Sequence, residues 1–272
     1  MTTLVSRNNP KIKQIRLLLA HRKERQSMGL FVAEGIHHVG EAFDANAEVE
    51  YICYAPDLLN SPFANRLIHE REQQGVLCLA ADADTFTSLA GKENPQGILA
   101  VVHQPHHRLK DLNPQSFPWG VACVAPQDPG NIGTILRTID AVGASGILLL
   151  DDPANNQFCA DPYHPSAVRA SMGAIFWYPL VQVQFSEFVS WAKGQQYSIY
   201  GTSAHAQQDY LEIEQFTQPL ILLMGSEREG LTASQSAICD VMLRMPMRGR
   251  VSSLNLAIAS GVMLYSILDK LA

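Results

Sequence analysis

Three short segments of this 272-residue chain carry residue types from which a site can be built, and each follows an apolar run. The first is Ala125–Pro126–Gln127–Asp128–Pro129–Gly130–Asn131–Ile132–Gly133, leading into TILRTIDAVGA. Asn131 stands where a helix N-cap is expected, its side-chain oxygen able to accept the first free backbone N–H groups. Ile132, Ile135, Leu136, Ile139 and Val142 then form one stripe, and Arg137 falls opposite it, pointing away from the core. The second segment, LLMGSEREGL from Leu222 to Leu231, sets Gly225 and Gly230 five apart. Such glycines let backbone approach a ligand closely, with Glu227 just past the strand end. The third runs from Met245 through Arg248, Arg250, Ser252, Ser253, Leu254 and Asn255 into LAIASGVMLYSIL. Here Ser252 or Ser253 is the expected helix cap, and Arg244, Arg248 and Arg250 concentrate positive charge beside the loop. Ala257, Ala259, Ser260 and Gly261 give the helix a slim face for close packing. Taken singly, each segment also has an ordinary reading: a surface arginine, a strand-to-helix turn, a capped helix packed internally.

Several better-known chemistries are excluded. The chain has no GxGxxG after a strand, no GxxxxGK[ST], no HExxH and no GxSxG. Cys53, Cys78, Cys123, Cys159 and Cys239 are far apart, odd in number and without a CxxC pair. That pattern argues against a disulfide framework or a zinc site and for buried free thiols in a reducing cytoplasm, with no metal.

The elements that must position these segments fall into two parts. Residues 10–26 place Ile12, Ile15, Leu18 and Leu19 at helical spacing. A strand at Phe31–Ala33, a helix from Ile36 to Phe43 and strand-like runs at 51–54, 76–79 and 98–102 follow, which predicts a small α/β domain over residues 1–104. Pro105, Pro114 and Pro118 mark 105–118 as a linker. From 119 to 272 a cleaner rhythm predicts strands at 121–125, 147–150, 198–200, 220–224 and 241–245. Helices are expected at 132–142, 166–174, 186–194, 232–238 and 253–270. Apolar runs this continuous suit a parallel sheet buried on both faces, with its ligand beyond the carboxyl ends of the strands. No stretch is long and apolar enough to span a membrane, and the first thirty residues lack a secretory signal's apolar centre, so a cytoplasmic protein is expected.

The net charge of −6 is unevenly spread. Residues 1–30 hold Arg7, Lys11, Lys13, Arg16, Arg22, Lys23 and Arg25 against Glu24 alone, a net +6, leaving −12 for the rest. A basic segment on an acidic body suits local phosphate binding, and equally a solvated amphipathic helix.

Together, in order and spacing, the three segments resemble the three motifs of the SpoU RNA methyltransferases, part of the SPOUT superfamily. The likeness covers nearly the whole chain. NPKIKQIRLLLAHRKER…GLFVAEGIHHVGEAF and NPQGILAVV resemble that family's amino-terminal substrate-binding domain, and HPSAVRASMGAIF resembles the stretch after its first motif. The resemblance implies an α/β trefoil-knot domain and methyl transfer from S-adenosylmethionine to a ribose 2′-hydroxyl of ribosomal or transfer RNA, needing no metal. It also implies a homodimer whose partner subunit completes the site. It places the catalytic set on Asn131, Arg137, Glu227, Ser253 and Asn255. Gly225, Met245 and Leu254, with Thr202 at the rim, would hold the cofactor. RNA affinity would come from Arg7, Lys11, Lys13, Arg16, Arg22 and Arg25. Two other readings stand beside it: a non-catalytic RNA-binding protein that kept the knot, and a SPOUT enzyme methylating a base. GSEREGL lacks an additional glycine frequent in relatives at 228 or 229, and the tail lacks the family's frequent closing Glu–Arg pair.

Overall fold

The computed structural model describes residues 4–90 and 94–271. The chain forms two compact units, one drawn from residues up to Pro105 together with Asp161–Trp177, the other from His106–Ala160 and Tyr178–Ala272.

The first unit contains α1 (Pro10–Ala20), α2 (Arg22–Met28), β1 (Leu30–Glu34), α3 (Ile36–Asp44), β2 (Val49–Tyr54), α4 (Pro62–Gln73), β3 (Cys78–Ala80), α5 (Ala83–Thr87) and β4 (Ile98–His103). Its sheet runs β1-β4-β2-β3; β4 is antiparallel to both neighbours, and β2 is parallel to β3. Ile12, Ile15 and Leu18, spaced for one helix face, pack with Val32, Tyr51, Phe86, Leu99 and Val101. The expected single helix over 10–26 is broken at His21, which is extended at φ −123° and ψ 120°. The break leaves carbonyls at the end of α1 without helical partners. Arg25 meets that need: its guanidinium donates to the carbonyl oxygens of Leu18 and Leu19 and forms an ion pair with Asp161 at 2.6 Å. Arg25 is 2% exposed, so its expected role in binding RNA is corrected; its donors are spent inside the unit.

Asp161–Trp177 enters this unit from far along the sequence. It carries the short helix α7 (Pro165–Ala170) and sets Tyr163 and Phe176 against Phe31, with ring centroids 5.0 and 5.8 Å away. That is why β1 is buried along both faces rather than alternating. Trp177 donates its indole N–H to Glu41 at 2.8 Å.

The second unit contains β5 (Trp119–Val124), α6 (Pro129–Val142), β6 (Ile147–Asp151), β7 (Leu180–Gln184), α8 (Phe185–Gly194), β8 (Ser198–Thr202), β9 (Gln208–Asp209), β10 (Leu220–Met224), α9 (Ala233–Ser236), β11 (Val241–Arg244) and α10 (Leu256–Asp269). Its seven strands, ordered β7-β6-β5-β10-β8-β11-β9, are parallel throughout. The central β5 and β10 are buried at every residue, as strands covered on both faces must be. The stretch 105–118 is not an exposed linker: Leu109, Leu112 and Phe117 sit in this unit's core, and the Phe117 carbonyl accepts the Tyr197 hydroxyl at 2.7 Å. β7 has no counterpart among the expected strands, because the edge sequence LVQVQ alternates instead of forming an apolar run. The expected helix 166–174 ends at Ala170, beyond which Met172 and Gly173 adopt positive φ.

Removing one member of a buried ion pair strands the other's charge, at a typical cost of about 3–5 kcal/mol. Arg25→Ala should therefore lower unfolding stability by an amount of that order, whereas Lys13→Ala, at an exposed position, should leave it unchanged; denaturant titration of both variants checks this.

Candidate active site

The site lies at the carboxyl ends of the parallel strands of the second unit. A crevice of about 360 Å³ is lined by Thr202 at the end of β8, Met224 to Leu231 after β10, Met245 and Met247 after β11, and Ser252 to Leu254 before α10. Thr202, Gly225, Met245 and Leu254, the expected cofactor contacts, all line it, as do Glu227 and Ser253. Its volume falls within the about 300–1,000 Å³ typical of small-molecule sites.

Close approach in the second segment is of the loop to itself. A Cβ on Gly225 would fall 2.1 Å from the carbonyl carbon of Gly230, so only glycine fits. Ser226 and Gly230 exchange two backbone hydrogen bonds of 3.2 and 3.0 Å, and Gly230 sits at φ +66°. The loop is thus a closed turn presenting Glu227, Arg228 and Glu229.

Glu227 is the hub. Its carboxylate accepts the backbone N–H groups of Gln127 (2.9 Å) and Asp128 (3.3 Å), at the entry to α6, and the side-chain amide of Asn131 (3.0 Å). Asn131 in turn accepts from the Asn255 amide at 2.9 Å. Asn255 accepts the N–H groups of Ala257 and Ile258 on its own oxygen. This last pair fixes every amide orientation in the line, since an oxygen facing two N–H donors leaves only the nitrogen to donate onward. Glu227, Asn131 and Asn255, one from each segment, are therefore joined in a single directional chain.

Two capping expectations are corrected here. Asp128, not Asn131, caps α6, accepting Gly130 N–H at 2.8 Å. Asn131 lies inside the helix, 6% exposed, which frees its amide for the bridge. Asn255, not Ser252 or Ser253, caps α10, because the chain stays irregular until Leu256. Ser253 is exposed on the crevice wall. Arg137 projects into solvent from α6 and makes no hydrogen bond or ion pair among the described residues. It does not line the crevice.

Residues that sequence reasoning missed hold this arrangement from behind. Gln157 donates to Glu229 at 2.8 Å and accepts from Gln235 at 3.0 Å, and Gln235 also donates to Asp152 at 2.7 Å. Gln235 is fully buried, a placement no periodicity announces. Burial, with the Glu227 carboxylate as a smaller influence, pushes the Cys123 thiol well above its ordinary value. Burial likewise raises Cys159 and takes Cys239 up to about 12, so these thiols stay protonated and are poor nucleophiles. Among the described residues no group of three or more His, Cys, Asp or Glu side chains is placed to hold a metal ion, and no helix is long and apolar enough to cross a membrane.

In the first unit Arg7 donates to the Asp84 carbonyl, Arg16 to the Arg7 carbonyl and the Ser88 hydroxyl, and Lys11 pairs with Glu50 over the Tyr51 ring. Arg7 and Lys13 are exposed, and Lys11, Arg16 and Arg22 half-buried.

Residues 118–265 match the model of the SpoU rRNA Methylase family. The chain belongs to that family. Residues 9–100 match the MRM3-like substrate binding domain, so a substrate-binding domain precedes the SpoU domain. Over 96% of its length the chain is 32% identical to a 23S rRNA (uridine(2479)-2′-O)-methyltransferase of Streptomyces viridochromogenes, covering 90% of that protein. It is 30% identical to a 23S rRNA (guanosine(2553)-2′-O)-methyltransferase of Bacillus subtilis (strain 168), with 98% and 99% covered. Its fold matches an AdoMet-bound rRNA methyltransferase from Sinorhizobium meliloti with a TM-score of 0.85 at 32% identity, covering 98% of this chain and 96% of that one. As a SpoU-family member it therefore has the α/β SPOUT fold with a parallel sheet.

Proposed function

We propose that this protein transfers a methyl group from S-adenosylmethionine to a ribose 2′-hydroxyl of ribosomal RNA. The observation that carries this reading is the Glu227–Asn131–Asn255 chain, which ties all three family segments together beside the crevice. The crevice suits a sulfonium cofactor: Glu227 and Glu229 supply negative charge opposite a cation, while Met224, Leu231, Met245 and Leu254 supply apolar wall. When bound, that cofactor brings a methyl carbon already activated by the positive sulfur, so alignment and control of the hydroxyl proton remain for the protein.

Thr202, Gly225, Met245 and Leu254 are assigned to cofactor binding. Glu227, Asn131 and Asn255 hold the loops in register, and Ser253 faces the reacting region. Arg137 is assigned to the RNA. A guanidinium is not deprotonated in proteins, so it cannot serve as a base. It binds the neighbouring phosphate and stabilises negative charge growing on the 2′-oxygen, while the proton passes to phosphate or water. Only RNA presents that hydroxyl, which accounts for the substrate class. Arg7, Lys11, Lys13, Arg16 and Arg22 remain the proposed phosphate contacts of the substrate-binding unit.

The working unit is a homodimer in this reading. The inner face of α10 buries Leu256, Ala259, Met263, Leu264 and Ile267, yet Ile258, Val262, Tyr265 and Leu268 form a second apolar face. Ile258 is 57% and Tyr265 55% exposed. A helix apolar on both faces is normally buried on both, and a second copy is the occupant proposed.

Arg137→Ala should abolish labelled-methyl transfer to ribosomal RNA from cells lacking this protein while leaving calorimetric S-adenosylmethionine binding nearly intact; full turnover would remove Arg137 from the chemistry. Nucleoside mass spectrometry of the wild-type product should show a 2′-O-methyl nucleoside rather than a methylated base. Ile258→Glu should halve the mass measured by sedimentation, and a wild-type protein already sedimenting as a monomer would contradict the dimer.

A further inference from the structure

The loop after β6 presents an aromatic ring that nothing in the site so far uses. Phe158 is 53% exposed and makes no ring contact among the described residues. A single exposed apolar side chain is ordinary on a protein surface. This one differs in how firmly its backbone is held and in what holds it.

Both neighbours of Phe158 are buried, Gln157 at 8% and Cys159 at 1%. Asp152 and Gln157 exchange backbone hydrogen bonds of 2.8 and 3.0 Å, closing the turn at Pro153–Asn156. Cys159 donates its N–H to Asp151 at 2.7 Å, and Ala160 donates to the Pro126 carbonyl at 2.7 Å. The Phe158 carbonyl itself accepts the Gln127 side-chain amide at 2.8 Å. With backbone partners on every side and the ring left out, the segment is a rigid mount for an aromatic surface.

The mount is wired to the crevice twice. Gln127 binds the Phe158 carbonyl through its side chain and the Glu227 carboxylate through its main-chain N–H. Gln157, the preceding residue, donates to Glu229. Glu227 and Glu229 both line the crevice. Phe158 therefore stands beside the crevice, at the carboxyl end of β6, on the side of the sheet where ligands of such folds bind.

Charge decides what this ring can meet. Exposed Asp128, Glu227 and Glu229, with half-buried Asp151, outnumber Arg228 on this rim, and a phosphate is disfavoured there. The uncharged part of a nucleotide is its base, and single-stranded RNA is held in proteins by bases stacked on aromatic rings. Resting on the ribose methyltransferase reading above, we propose that Phe158 is a stacking platform for an unpaired nucleobase of the RNA substrate, at or next to the modified nucleotide. The ring fixes the base, the acidic rim turns the phosphates outward, and the ribose between them is left facing the crevice.

The test measures steady-state methyl transfer to ribosomal RNA from cells lacking this protein, with calorimetric S-adenosylmethionine affinity, melting temperature and sedimentation mass recorded for each variant. Loss of one stacked base typically costs about 1–3 kcal/mol, so Phe158→Ala should raise KM for RNA by about 5- to 150-fold. Cofactor affinity, melting temperature and mass should stay at wild-type values. Phe158→Tyr and Phe158→Trp should recover KM, whereas Phe158→Leu, apolar but without a π-face, should resemble Phe158→Ala. An unchanged KM in Phe158→Ala, a fully active Phe158→Leu, or a drop in mass would each overturn the proposal, the last by making the ring a contact between copies. If the wild-type protein neither binds the cofactor nor transfers a methyl group, it is the underlying functional reading that fails, and the two failures are distinguishable.

Discussion

A carboxylate at the start of a helix organises this molecule's site. Glu227 reaches from the loop after β10 to the N-terminus of α6, where free N–H groups and the helix dipole favour negative charge. Through Asn131 it then reaches Asn255 at the start of α10. Hydrogen bonds to a charged group contribute about 1.5–3 kcal/mol, against about 0.5–1.5 kcal/mol for neutral ones. Three loops of irregular backbone, which conformational entropy would otherwise spread, are thereby held as one surface. α6 and α10 pack against each other, and a side-chain carbon placed on Gly261 would stand 3.9 Å from the Thr138 methyl. The relay is therefore backed by two helices that cannot drift apart independently.

Much of this was legible in the sequence, and for identifiable reasons. Continuous apolar runs such as LILLM at 220–224 and VACV at 121–124 read as buried parallel strands because nothing else that short stays apolar on both faces. Gly225, Glu227 and Asn131 stand out as glycine, carboxylate and amide in loops that follow apolar strands, whereas Asn255 is marked only by the family resemblance. Their mutual connection was not legible, since residues 124 apart in sequence meet only through the fold. Asn131 looked like a cap for the same reason that it serves as a bridge: it is a short amide near a helix start. Asp128 took the capping role because Pro129 begins the helix three residues earlier.

The misreadings in the first unit have a common cause. Arg25 sits in a basic run, and local charge suggests solvent, but its partner Asp161 lies 136 residues away. The same long-range insertion, Asp161–Trp177, was placed with the second domain because the sequence is contiguous there. Prolines at 105, 114 and 118 suggested a linker, whereas they only break secondary structure while Leu109, Leu112 and Phe117 bury normally. Periodicity reports which residues avoid water. It does not report against what, and it offers no route to the threaded topology that the family resemblance implies.

The central claim is that Asn131 and Asn255 act as one connection that shapes the cofactor crevice. A double-mutant cycle on S-adenosylmethionine affinity, using Asn131→Ala and Asn255→Ser, tests it directly, because serine retains a helix cap while losing the reach to Asn131. Residues joined in one hydrogen-bond network show coupling of about 0.5–3 kcal/mol. Coupling of that size in the calorimetric binding free energy is the predicted result; strictly additive losses, with both single variants folded, would contradict it.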